Sequence, residues 1–158
     1  MLYKIYAYLI KLALNPIDVL GRMFTFNNEM PKGSRIEKDI AYGQHRLQRY
    51  DLILPDKPNP NAPVIAYIHG GGWVVGHKNG FRRMGAVWAR LGFPVININY
   101  RLGPRHNWRA QTHDIHNAIQ HAQARLAKSE GHSQPLILAG DSAGAHLSSW
   151  YAAAAHNP

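Results

Sequence analysis

At 158 residues the chain is long enough for one domain with its own core. Its composition, 46% hydrophobic and 17% charged, is that of a globular protein and excludes disorder. The lack of cysteine excludes disulfides and thiolate metal sites and fits a reducing compartment, the cytoplasm. The net charge of +9 invites nucleic acid, but the basic residues are dispersed and no aromatic-interleaved basic motif appears, so it is read as a solvated surface.

The opening "MLYKIYAYLIKLAL" is broken by Lys4 and Lys11, and no small-residue cleavage site follows. It therefore fits neither a secretory signal nor a span of about twenty apolar residues. Leu2, Ile5, Leu9 and Ala13, with Tyr6 and Ile10 beside them, follow helical spacing. They predict an amphipathic helix packed on the domain, which argues against membrane contact. Residues 1–30 are read as this helix with a polar connector, and residues 31–158 as the main domain.

"IAYGQHRLQRYDLILP" reads as two short strands meeting near Gly43, and "DKPNPNAP" as a turn-rich connector. "VIAYI" (64–68) suits a strand buried on both faces. After a glycine loop, Phe81, Met84, Trp88 and Leu91 share one face of a predicted helix. "PVININY" is the next strand, followed by a helix with Ile115, Ala118, Ile119, Ala122 and Leu126 on one stripe. "LILA" is a third strand and "AGAHLSSWYAAAA" a last helix, stopped by "NP". This alternation predicts a mostly parallel α/β sheet with helices on both faces, with chemistry at the carboxyl ends of the strands.

Two motifs fall at such ends. "GDSAG" (140–144) matches G-x-S-x-G, a sharp strand-to-helix turn that exposes a serine hydroxyl, here Ser142. Side chains at Gly140 and Gly144 would collide with neighbouring backbone there. Alone the pattern is weak, since chance yields it in about one chain in twenty of this length. "HGGGW" (69–73) is rarer, and its glycines leave backbone N–H groups open to a bound carbonyl. His69 is read as orienting this loop, not as a base. No phosphate-binding glycine pattern is present.

With "YGQHRLQRYDLILP", "YIHGGGWVVGHK", "NYRLGP" and "GDSAGAHL", the chain resembles the N-terminal part of an α/β-hydrolase carboxylesterase, near the hormone-sensitive-lipase-like and feruloyl-esterase-like enzymes. The resemblance implies Ser142 as nucleophile and Gly70, Gly71 and Ala143 as oxyanion donors. His69, Gly72, Gly140, Asp141 and Gly144 would support the motifs. It implies a small-molecule ester substrate, no cofactor and no nucleic acid.

In that fold an acid and then a histidine follow the serine. Here only residues 143–158 follow, with His146, His156 and no carboxylate. His146 lies one helical turn beyond Ser142, on a helix leading away from the site. His113 and His116, with Asp114 beside them in what is read as a first helical turn, invite a metal, but too few ligands converge for one. The expectation is that the fold's C-terminal strands and helices are missing. The chain alone would then be an inactive esterase portion that self-associates through the unpaired edge of "LILA". The alternative is a catalytically silent remnant that binds acyl ligands or a partner chain.

Overall fold

Alternating apolar side chains decide how the sheet is buried. In β3 (Val64–Ile68), Val64, Ala66 and Ile68 join one apolar cluster with Ile115, Ile119 and Leu147, while Ile65 and Tyr67 face the opposite layer. The computed structural model describes residue 5 and residues 7–16, 32–59, 61–130 and 134–156. Residues 7–16 form helix α1. There follow β1 (Ser34–Ala41), β2 (Arg49–Pro55), β3, a 3-10 turn (Lys78–Phe81), α2 (Arg82–Arg90), β4 (Val95–Ile98), α3 (Trp108–Glu130), β5 (Leu136–Gly140) and α4 (Ala143–His156). Among the described residues no helix is long and apolar enough to cross a membrane.

The strands form one sheet in the order β1-β2-β4-β3-β5. It is mixed: β1 and β2 run antiparallel to their neighbours, whereas β4, β3 and β5 are parallel. Of the two strands expected around Gly43, the second is β2, while the first overlaps β1 only at Ile40 and Ala41, because β1 begins at Ser34. β5 pairs with β3 and borders the described sheet, and Ile137 on it is 43% exposed.

Helix faces matched the sequence unevenly. On α3 the whole predicted stripe, from Ile115 to Leu126, is buried. On α2 the expectation holds in part: Phe81 and Trp88 pack against the core, whereas Met84 and Leu91 point outward, and the fully buried positions are Gly85, Ala86 and Ala89. Small residues face the sheet because the helix lies close to it; a Cβ on Gly85 would come within 2.5 Å of Ile53 Cδ1.

On α1 most of the expected stripe faces outward, although Ile10 lies against Gly72. Ile5 (49%), Leu9 (57%) and Ala13 are exposed, while Ala7 and Leu14 pack against Val74 and Val75. Tyr8, Leu12 and Leu14 make this helix apolar around most of its circumference, so periodicity could not select the inward face. Leu2 and Tyr6 lie outside the described residues.

Candidate active site

The turn after β5 is built from close backbone approaches. A Cβ at Gly140 would meet Gly144 C and Ile68 O at 2.7 Å, and one at Gly144 would strike the Ile68 carbonyl group. Both positions therefore require glycine. Between them the backbone of Ser142 is left-handed, φ 48°. Such a conformation costs a non-glycine residue about 1–3 kcal/mol and persists where the surroundings impose it. Gly144 N–H donates to Asp141 O at 2.7 Å, and His146 N–H to Ser142 O at 3.1 Å, starting α4. Ser142 is exposed, and among the described residues its hydroxyl has no hydrogen-bond partner.

The glycine loop leaves β3 on the neighbouring strand, so parallel pairing of β3 with β5 brings both motifs to one edge of the sheet. Gly71 (φ 119°), Gly72 (φ 56°) and Trp73 (φ 63°) carry the chain through left-handed conformations. The Gly71 carbonyl accepts from Val74 N–H (3.1 Å) and Val75 N–H (3.0 Å), closing the loop as a tight turn.

Asp141 ties loop to elbow. Its Oδ1 accepts from Gly70 N–H at 2.8 Å and from the Tyr67 hydroxyl at 2.7 Å. Burial, and then this bond to Asp141, push the Tyr67 phenol well above its ordinary range, so it remains a neutral donor. Gly70, expected as an oxyanion donor, therefore has its N–H engaged. The N–H groups of Gly71, Gly72 and Ala143 have no acceptor among the described residues.

His69 is fully buried and stacks on Tyr100, with ring centroids 4.5 Å apart. Its Nδ1 lies 2.7 Å from Gly70 O, and the Tyr100 hydroxyl donates to His69 O at 2.8 Å. These contacts orient the loop. The exposed His146 ring meets Trp73 edge-on at 5.5 Å, linking α4 to the loop. The side chain of His156 lies outside the described residues.

Asp114 is buried well inside α3, beyond its first turn, which corrects the expectation that it lies in the first turn. Its oxygens accept from Arg101 (Nη2 at 2.7 Å, Nε at 2.8 Å) and from Gln48 Nε2 at 2.8 Å. His113 and His116 are exposed beside it. Among the described residues no three His, Cys, Asp or Glu side chains converge on a metal position.

The exit of the glycine loop is held by a group the sequence did not disclose. Lys78 is fully buried. Its Nζ donates to Asp51 Oδ1 at 2.5 Å and to Asp39 Oδ1 at 2.6 Å, and Arg82 Nε reaches Asp51 Oδ2 at 2.6 Å. Lys78 N–H donates to Asn99 Oδ1 (2.7 Å), and Asn97 Nδ2 donates to Lys78 O (2.8 Å). The available signal was polar residues inside buried strands: Asp51 in "RYDLILP" and Asn97 and Asn99 in "VININY".

The Lys78 hydrogen bond holds the partly exposed Asp39 carboxyl below its ordinary range. Because the folded value is the lower one, this stabilisation is complete above the unfolded value of about pH 4. It is lost as pH falls through the folded value. The urea midpoint of Asp39→Asn should therefore lie below wild type at neutral pH and converge with it in acid; a pH-independent difference contradicts the pairing. Lys78→Met, which leaves buried carboxylate short of a partner, should cost about 3–5 kcal/mol at neutral pH.

Comparison with known proteins agrees with this geometry. The family model described as BD-FAE matches residues 50–158. Esterase LipC of Mycobacterium tuberculosis is 34% identical over 125 residues, covering 75% of this chain and 30% of LipC. A probable isoprenylcysteine alpha-carbonyl methylesterase of Oryza sativa subsp. japonica is 30% identical over 114 residues, covering 72% of this chain and 27% of that protein. Among solved structures, esterase B from Lactobacillus rhamnosis superposes with a TM-score of 0.79 at 26% identity, over 96% of this chain and 50% of that one. A bacterial heroin esterase gives 0.78 at 25% identity, over 94% and 47%. This chain thus spans under a third of those curated relatives and about half of those solved structures. On the match over residues 50–158 and the shared fold, the chain belongs to the BD-FAE family of α/β-hydrolase carboxylesterases, of which it covers the N-terminal portion.

Proposed function

We propose that Ser142 is the nucleophile of a carboxylic-ester hydrolase acting on a small-molecule ester, with the N–H groups of Gly71, Gly72 and Ala143 as oxyanion donors. The observation that carries this reading is the exposed, left-handed Ser142 held between two glycines beside a loop with unengaged N–H groups. Gly72 takes the place the sequence suggested for Gly70, whose N–H is engaged by Asp141. Ser142 Oγ attacks the ester carbonyl carbon, and the three donors stabilise the charge that develops on its oxygen. The alcohol leaves with a proton, and water then releases the acyl group from the serine. Esterase B, in its complex with a tributyrin phosphonate inhibitor, has the same fold with a TM-score of 0.77, which supports ester chemistry at this site. The lack of cysteine supports a cytoplasmic setting.

No described histidine or carboxylate hydrogen-bonds Ser142 Oγ, and no carboxylic side chain follows it in the sequence. We propose that the base and the acid are not among the described residues, and residues 1–158 alone should hydrolyse p-nitrophenyl butyrate negligibly. The complete gene product should hydrolyse it, and Ser142→Ala should lower kcat by about 10⁶-fold. Retention of activity by Ser142→Ala would sink the assignment. The unpartnered Ser142 hydroxyl also favours a second reading, a silent acyl-binding or partner-binding remnant. A complete product that binds acyl chains without hydrolysing them would establish it.

The border position of β5 leads to a second proposal: this chain self-associates by pairing β5 with a second copy, since open apolar strand edges template such pairing. Size-exclusion chromatography should show dimers or larger species that Ile137→Lys shifts toward monomer. A wild-type chain that stays monomeric at high concentration contradicts it.

A further inference from the structure

Three chain segments far apart in sequence bring cations to one cavity. α1 contributes Tyr8 and Lys11, the β1–β2 connection His45 and Arg46, and the loop after β4 Arg105 and His106. The cavity holds about 290 Å³. That is at the lower end of the roughly 300–1,000 Å³ typical of organic-ligand sites. Among the described residues no carboxylate lines it. Lys11, Arg46 and Arg105 form no ion pair among the described residues. The nearby Asp114 is buried and already paired with Arg101.

One of the two imidazoles is oriented as a donor. His45 Nδ1 accepts from Leu47 N–H at 3.1 Å, which leaves Nε2 to carry the proton of the neutral ring. The rings of His45 and His106 meet edge-on at 5.2 Å. Dispersed surface charge does not account for like charges converging on a cavity that no described carboxylate neutralises. Such an arrangement is stabilised when an anion enters.

We propose that this cavity binds a compact, doubly charged oxyanion group, phosphate or sulfate, held by Lys11, Arg46 and Arg105 with donors from His45 and His106. The loop that carries Arg105 and His106 also buttresses the glycine loop, since Gly103 N–H donates to Trp73 O at 2.8 Å. An occupied cavity therefore braces α1 and the wall of the candidate active site together. Burial, then Arg101 and His45, hold the His106 imidazole below its ordinary range, with Asp114 opposing them. Facing His106 are therefore Arg101, His45, Arg105, Lys11 and Arg46 as positive or titratable groups, and Asp114 as the acid. A bound anion offsets this and raises the His106 value, so binding tightens with acidification. Sulfate isolates the effect because it keeps both charges across the range where His106 gains its proton.

The test is calorimetric titration of residues 1–158 with sulfate, and separately with glycerol phosphate, at constant ionic strength. We expect saturable one-to-one binding that strengthens from about pH 7.5 to about pH 5.5. Arg46→Ala and Arg105→Ala, both exposed positions, should each weaken it about tenfold or more. The exposed Arg83→Ala on α2 should leave it unchanged. The His106 ring resonances should shift with saturation in parallel. Equal affinity for both probes identifies a free inorganic ion, and tighter binding of the ester identifies the phosphate group of a larger molecule. Absence of saturation with either probe, or binding indifferent to Arg46 and Arg105, overturns the proposal.

Discussion

One carboxylate oxygen joins the two halves of the candidate site. Asp141 Oδ1 accepts from Gly70 N–H on the loop after β3 and from the Tyr67 hydroxyl on β3 itself, while its backbone begins the serine turn after β5. Without that bridge, the loop and the elbow would be two segments that happen to end on adjacent strands. With it, the left-handed Ser142 and the N–H groups of Gly71, Gly72 and Ala143 are held at one edge of a rigid sheet. Gly70 must lack a side chain for the same reason, because a Cβ there would strike this carboxylate. Pre-positioned donors of this kind are effective because they need no reorganisation when charge develops.

The Lys78 cluster does similar work at the other end of the loop. A lysine with no exposed surface carries a large desolvation cost, offset only by well-placed partners. Asp51 on β2 and Asp39 on β1 supply them to the ammonium, while the side-chain amides of Asn97 and Asn99 hold the Lys78 backbone. The cluster fixes where the loop rejoins the sheet: a hydrophobic residue at position 78 could fill the volume but would leave the Asp51 and Asp39 carboxylates one partner short. Buried ion pairs are weak contributors to stability and better suited to fixing one geometry among several.

What could be read in advance follows from whether the cause is local. "HGGGW" and "GDSAG" were legible because glycine at a close backbone approach leaves a sequence trace at the position that needs it. The α3 stripe was legible because its periodicity has one solution. α1 was not, because Tyr8, Leu9, Leu12 and Leu14 leave no polar face to exclude. α2 was legible only in part: Trp88 and the adjoining Phe81 pack inward, but the fully buried residues are the small ones, Gly85, Ala86 and Ala89. The engagement of Gly70 depends on a carboxylate 71 positions away, and no local pattern encodes it. The same holds for Lys78, although an aspartate and two asparagines inside buried strands were a visible sign that something charged lay beneath.

Amide hydrogen exchange on the chain itself tests the bridge most directly. The account predicts that Gly70 N–H is protected in the wild type and loses protection in Asp141→Ala. Gly71, Gly72 and Ala143 N–H should exchange rapidly in both, since no acceptor among the described residues engages them. A Gly70 amide that exchanges as fast as those of Gly71 and Gly72 in the wild type would contradict the claim that Asp141 holds the loop against the elbow.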